Sequence, residues 1–156
     1  MKFLEERHKR IIKKVNLDKL PFKITEGKFR AFATETTKAF SSILKSRESH
    51  EALKWCFSTV KKGKVFIKIF ESNYEGTKMY KEELSKSLPE YSYKTIANIV
   101  DEGMEKGYFV ELRPRTQTIN DAKIKNLRPS EDVASAFINW YIEAINAFNS
   151  LIKNNK

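Results

Sequence analysis

Cysteine is nearly missing from this chain: Cys56 stands alone among 156 residues. One thiol excludes an internal disulfide and a Cys-rich zinc site. Cys56 lies in an apolar helical pattern with Leu53, Trp55, Phe57 and Val60. That setting suits a buried packing residue; an oxidation sensor is the weaker alternative. Histidine is almost as scarce, and His8 and His50 have no metal-ligand spacing. Gly and Pro, with five and four copies, are too few for a loop-rich fold and point to long helices. No apolar run approaches the roughly 18 residues of a transmembrane helix. The amino terminus MKFLEERHKRIIKKV carries charge where a secretory leader has an apolar core. These absences lead to the expectation of a cytoplasmic protein with no membrane partner.

Enzyme signatures are also thin. Gly63-Lys64 lacks the upstream glycine and the following Ser/Thr of a phosphate loop. There is no nucleophile elbow, and the carboxylates of Glu82-Glu83 fall on a short polar helix where solvent covers them. No catalytic residue, metal or cofactor is expected.

What the chain does have is positive charge. Lys and Arg outnumber Asp and Glu by 30 to 20, a formal charge of +10. Residues 1–30 carry ten basic against four acidic side chains. Such an excess favours polyanions: nucleic acid first, an anionic membrane surface second. The length allows one domain with a real core.

Apolar spacing predicts a mainly helical chain. Phe3, Leu4, Ile11, Ile12 and Val15 outline a first helix, and Pro21 and Gly27 bracket a break. A second helix is predicted over 28–46, with Phe29, Phe32, Phe40 and Leu44 on one stripe. A third is predicted over 49–61, capped by Ser49 with Gly63 near its end. The apolar block at 65–70 reads as helix, residues 73–76 as a turn, and 81–88 as a short helix stopped by Pro89. Ser92 caps the next helix, whose inward stripe is Ile96, Ile99, Val100, Gly103 and Met104. Gly107 suits a left-handed C-terminal cap, and strands are predicted over 108–112 and 122–127. A long final helix starts at Pro129-Ser130 and carries Val133, Phe137, Trp140 and Tyr141 on its apolar face. The Lys/Asn-rich end, 153–156, is expected to fray.

Helix, strand, charged loop and strand together outline a winged helix. The words KEELSKSL, SYKTIANIVDEGMEKGYFVEL and DAKIKNLRPSEDV resemble the winged-helix domain of MarR-type transcriptional regulators. Ser92, Thr95, Ile96, Asp101 and Lys106-Gly107 stand at the spacing of that family, and Leu127-Arg128-Pro129-Ser130 is similar to its start of the helix after the wing. The chain departs from it in the wing, where Arg113, Arg115, Thr116, Gln117 and Asp121 replace an Asp-x-Arg-Asp-x-Arg pattern. The resemblance implies a mainly α fold with a small two- or three-stranded β-wing: a winged helix-turn-helix flanked by N- and C-terminal dimerisation helices. It implies one domain over 1–156, with 1–48 and 130–156 as the helical dimerisation region and 49–128 as the DNA-binding region.

The residues themselves agree with a homodimer on double-stranded DNA. Ser92, Tyr93, Lys94, Thr95 and Asn98 lie opposite the apolar stripe, near a helix N-terminus that favours phosphate. Asn98 and Lys94 are the candidates for base edges, Ser92 and Thr95 for phosphate or a first-turn contact, and Tyr93 for either. Residues 113–128 carry five basic side chains against Asp121. Arg113, Arg115, Thr116, Gln117 and Lys123 are the candidates there, for a minor groove or the backbone. Regulators of this kind often sense a small-molecule effector; Phe40, Trp55, Phe57, Phe66 and Phe70 are candidates for lining such a cleft or, more simply, for the core. The alternative function is a winged helix used for protein contacts or for nucleic-acid binding without regulation.

Overall fold

The computed structural model describes residues 2–112 and 126–156. It is mainly helical, with one two-stranded antiparallel sheet. In chain order come α1 (Lys2–Ile12), α2 (Glu26–Glu48), α3 (Glu51–Cys56), α4 (Val60–Glu75), α5 (Lys81–Ser87), α6 (Tyr93–Glu105), β1 (Phe109–Leu112), β2 (Asn126–Pro129) and α7 (Glu131–Asn155). Among the described residues no helix is long and apolar enough to cross a membrane.

The chain divides into two compact units, Met1–Lys45 with Tyr141–Lys156, and Ser46–Trp140.

In the unit formed by Met1–Lys45 and Tyr141–Lys156, aromatic pairs tie the helices together. His8 stacks on Phe29 at 6.1 Å, Phe22 meets Phe32 edge-on at 5.4 Å, and Phe40 meets Phe148 at 5.0 Å. Only Ile12 and Ile43 of this unit are buried among the described residues. Phe3, Leu4, Ile11, Phe40, Leu44 and Ile145 all stand exposed. The final helix stays helical through Lys153 to Asn155, beyond the point where fraying was expected.

The unit Ser46–Trp140 holds the hydrophobic core. Phe66 is fully buried and meets Phe137 edge-on at 5.1 Å, while Phe70 meets Phe137 at 4.7 Å. Leu84, Ile96, Val100, Phe109 and Leu127 close the other side of this core.

The predicted third helix, 49–61, is two helices. His50 caps α3, its Nδ1 accepting from the Leu53 N–H at 3.4 Å, while the Ser49 hydroxyl donates back to the Ser46 carbonyl. Thr59 then caps α4 by accepting from the Lys62 N–H at 3.2 Å. The apolar period continues across the break, so spacing alone hides it, and Gly63 falls inside α4 instead of ending a helix. The predicted turn at 73–76 is shorter, because α4 continues to Glu75 and stops on Gly76 at φ +68.

β1 and β2 pair with Phe109 opposite Pro129 and Leu112 opposite Asn126. The second strand runs on to Pro129, two residues beyond the predicted 122–127, of which 122–125 lie outside the described residues. Ser130 N–H donates to the Tyr108 carbonyl, and Leu127 N–H turns the other way to the Met79 carbonyl at 2.8 Å. In that alternation Pro129 falls where its N–H would face away from β1, so a proline fits. Met79 N–H in turn donates to Asn126 Oδ1 at 3.1 Å, so the extended stretch before α5 flanks β2 on its second edge.

Candidate nucleic-acid interface

The helix α6 begins as its sequence requires. Ser92 Oγ accepts from the Thr95 N–H at 3.1 Å and lies 2.9 Å from Thr95 Oγ1. The two hydroxyls thus satisfy each other and the cap. At the far end Gly107, at φ +78, sends its N–H to Met104 and the Tyr108 N–H to Gly103, a paired closure that needs a left-handed residue.

One face of α6 is core: Ile96, Ile99, Val100 and Gly103 are buried. The opposite edge is in solvent. Ser92, Tyr93, Lys94 and Asn98 are exposed and Thr95 is half-buried. The Tyr93 hydroxyl reaches Glu82 at a loose 3.5 Å. Of the ten candidate residues these five are brought together on one helical edge; Arg113, Arg115, Thr116, Gln117 and Lys123 lie outside the described residues.

Two of the three carboxylates of α6 are occupied. Asp101 takes the Lys81 ammonium at 2.6 Å, and that bond holds the Lys81 pKa above its ordinary value. Glu102 accepts from the Trp55 indole N–H at 2.8 Å, with Lys62 at 4.0 Å and the same ammonium 4.8 Å from the Trp55 ring centre. Their charge is thereby balanced locally, and the 92–98 edge carries Lys94 as its charged group.

Sequence reasoning missed a second basic group. Lys61 and Lys64 of α4 stand 5.9 and 5.5 Å from the ring centre of Tyr91, next to the Ser92 cap. Lys64 also bonds Glu90 at 2.9 Å, which raises the lysine pKa; the Glu90 pKa is lowered, first by its own backbone N–H and then by Lys64. The signal was the run Lys61-Lys62-Gly63-Lys64, which a helix ending at 61 divides. Arg128, counted as a wing charge, is an internal clamp: its guanidinium donates to Ser72 Oγ at 3.0 Å and to the Thr77 carbonyl at 2.8 Å. Burial lowers its pKa.

Of the aromatics considered for an effector cleft, Phe57 packs on Phe66 and on Phe137, as core residues do. Phe66 and Phe70 pack on Phe137, Trp55 packs on Tyr108 and Phe109, and Phe40 pairs with Phe148. Cys56 is fully buried, and burial pushes its thiol up to about 12, so it is poorly placed to sense oxidants. Among the described residues there is no group of three or more His, Cys, Asp or Glu side chains able to hold a metal.

No protein-family model matches the chain, and neither a curated protein nor a solved structure shows significant similarity to it.

Proposed function

We propose that the chain is a homodimeric, sequence-specific double-stranded DNA-binding regulator of MarR type, with a winged helix-turn-helix built from α4 to β2. In this reading α6 enters the major groove by its first two turns, and residues 113–125 supply a basic wing. The observation that carries it is the edge Ser92, Tyr93, Lys94 and Asn98: it is exposed, carries no carboxylate of its own, and is set at a helix N-terminus. The order α5, α6, β1, β2, with the Met79 stretch beside β2, supports the winged arrangement. Asn98 reads a base edge, Lys94 a base edge or phosphate, and Lys61 adds a phosphate contact beside the cap. The Ser92 and Thr95 hydroxyls hold the helix end in place, with the Thr95 N–H taken by the cap and the N–H groups before it left for the DNA backbone.

The thin core of the N-terminal unit supports dimerisation. A helical set with only Ile12 and Ile43 buried, and with Phe3, Leu4, Ile142 and Ile145 in water, needs a second surface to cover it. A second copy meets that need with the commonest symmetry of soluble oligomers.

The test is fluorescence anisotropy on the chain's own upstream DNA across a salt series. A dimer neutralising about six phosphates loses about a thousandfold in affinity between 50 and 200 mM salt. Asn98→Ala relaxes sequence preference, whereas Lys61→Ala weakens all sequences alike. Binding that is flat with salt, or absent at low salt, removes the regulator and leaves the protein-contact alternative.

A further inference from the structure

The helix α1 carries a stripe of mixed character. Phe3, Leu4, Arg7, Arg10, Ile11 and Lys14 recur at spacings of three and four, so they share one side of the helix. All six are exposed, Phe3 by 68 % and Leu4 by 62 %. The other side holds α1 within its own unit: Ile12 is buried, and His8 stacks on Phe29 of α2. The α-helix ends at Ile12, but the Lys14 N–H donates to the Ile11 carbonyl at 2.9 Å. Arg7, Arg10, Ile11 and Lys14 border one small hollow of about 240 Å³, so Lys14 stays on the stripe. That hollow is below the size that encloses a small molecule.

The charge of the stripe is uncommitted. Among the described residues Arg7, Arg10 and Lys14 take part in no ion pair; the lysines that hold carboxylates, Lys62, Lys64, Lys68, Lys81 and Lys86, all belong to Ser46–Trp140. Glu6 falls at the border of the stripe and Glu5 on the far side. Three cations thus interleave with three apolar side chains. A phosphodiester backbone gives the cations partners and leaves Phe3, Leu4 and Ile11 in water. A second copy laid on the stripe would set its three cations against their like, which leaves the dimer contact to α7, where Ile142 and Ile145 stand exposed. A bilayer interface serves both kinds of side chain. Anionic head groups meet the cations, whose stems lie along the surface, and the apolar groups enter the acyl boundary.

We infer that α1 docks the protein on an anionic lipid surface, lying flat with Phe3, Leu4 and Ile11 inserted and Arg7, Arg10 and Lys14 on the head groups. This departs from the expectation of no membrane partner, which rested on the lack of a long apolar run; a helix lying in the interface needs none. Each basic residue at such a surface contributes about fivefold in affinity, and the three together about a hundredfold. The contact uses none of the α6 edge, so it goes beyond the regulator reading and does not rest on it.

Co-sedimentation of the full chain with vesicles tests this. Wild type is expected to pellet with vesicles of equal parts phosphatidylcholine and phosphatidylserine, and to stay in solution with phosphatidylcholine alone. Arg7→Gln, Arg10→Gln and Lys14→Gln, combined, weaken binding about a hundredfold. Phe3→Ser with Leu4→Ser weakens it about tenfold or more, the scale of apolar area left in water. Lys38→Gln, Lys45→Gln and Lys153→Gln remove the same charge from exposed positions elsewhere in the unit. They cost far less, because screening confines the attraction to cations at the surface. Circular dichroism checks folding; if the Ser variant does not fold, the two Gln variants decide alone. No pelleting of wild type, equal loss in the two Gln variants, or full binding by the Ser variant overturns the proposal. So does a Ser variant that turns a dimer into a monomer, which would make the stripe a contact between copies. Loss of DNA affinity by the α1 Gln variant, with no vesicle binding by wild type, would make it a nucleic-acid contact and overturns the lipid surface equally. Vesicle binding without DNA binding keeps this inference and loses the regulator; DNA binding without vesicle binding does the reverse.

Discussion

Gly103→Ala offers the sharpest check on how α6 is fixed to the sheet. Gly103 is buried in the third turn of the helix. A Cβ built there enters the Phe109 ring, meeting Cδ2 and Cε2 inside van der Waals contact and standing 3.1 Å from Cγ. Phe109 is 2 % exposed, begins β1 and meets Trp55 edge-on at 5.8 Å, so the ring has nowhere to go without displacing the strand. Alanine gains about 0.5–1 kcal/mol in helix propensity, while overpacking of a filled core costs about 1–3 kcal/mol. A Cβ that enters a ring with no room to move sets the overpacking cost in the upper half of that range, about 2–3 kcal/mol, so the expected net is a loss of about 1–2.5 kcal/mol, or about 2–10 °C in Tm. Gly63→Ala is the control: its Cβ would be in ordinary contact 3.5 Å from Phe57, so helix propensity wins and it stabilises by about 0.5–1 kcal/mol. Urea unfolding followed by tryptophan fluorescence reads both. A Gly103→Ala protein as stable as wild type would show that Phe109 does not pack across this glycine, and the placement of β1 against α6 would be wrong.

Arg128→Met is expected to cost about 1–2 kcal/mol by removing the bonds to Ser72 and Thr77, while leaving the salt dependence of DNA binding unchanged; urea unfolding and the salt series check the two halves, and Arg128→Lys should not rescue stability, because an ammonium lacks the fork that reaches both acceptors. Cys56, with its thiol pushed up to about 12 from 9.0, is expected to resist a thiol reagent at pH 8 until the protein unfolds. Because the folded protein holds that proton more tightly than the unfolded chain, the thiol's contribution to stability is intact below pH 9 and declines as pH rises from 9 towards 12. A chemical denaturation series over that window, compared with Cys56→Ala, isolates it.

Local chemistry made the α6–β1 segment legible in advance. Ser92 has a hydroxyl where a helix needs an acceptor, and Gly107 alone fits the positive φ that closes it. The long final helix was readable for the same reason, with Ser130 Oγ accepting from the Val133 N–H. The break between α3 and α4 was not. Phe57 and Val60 continue the helical period of Leu53 and Cys56, and the event that ends α3 is a cap at Thr59 competing with that period. Gly63 looked like a stop because glycine often is one, but it lies inside α4, where a Cβ would make only ordinary contact with the Phe57 ring. The extension of β2 to Pro129 was hidden by that proline, which reads as a breaker until the alternation of N–H directions across three extended segments is known. Arg128 looked like surface charge because sequence shows a basic side chain and not the Ser72 and Thr77 oxygens that hold it.

The same distinction between free and occupied charge bears on the interface. Counted along the sequence, α6 is an acidic helix, with Asp101, Glu102 and Glu105 against Lys94, and such a helix should be repelled by phosphate. Two of those carboxylates are spent inside the protein: Asp101 on Lys81 of α5, Glu102 on Trp55 of α3 and Lys62 of α4. Each tie anchors the C-terminal half of α6 to a different helix. Each also balances its carboxylate with a neighbouring ammonium or N–H. The N-terminal half, capped by Ser92 and flanked by Lys61 at Tyr91, keeps its dipole and Lys94 unopposed along the helix edge. An acidic count along the helix is thus compatible with the proposed recognition face, because the ties to Lys81, Trp55 and Lys62 hold the opposite end of the helix.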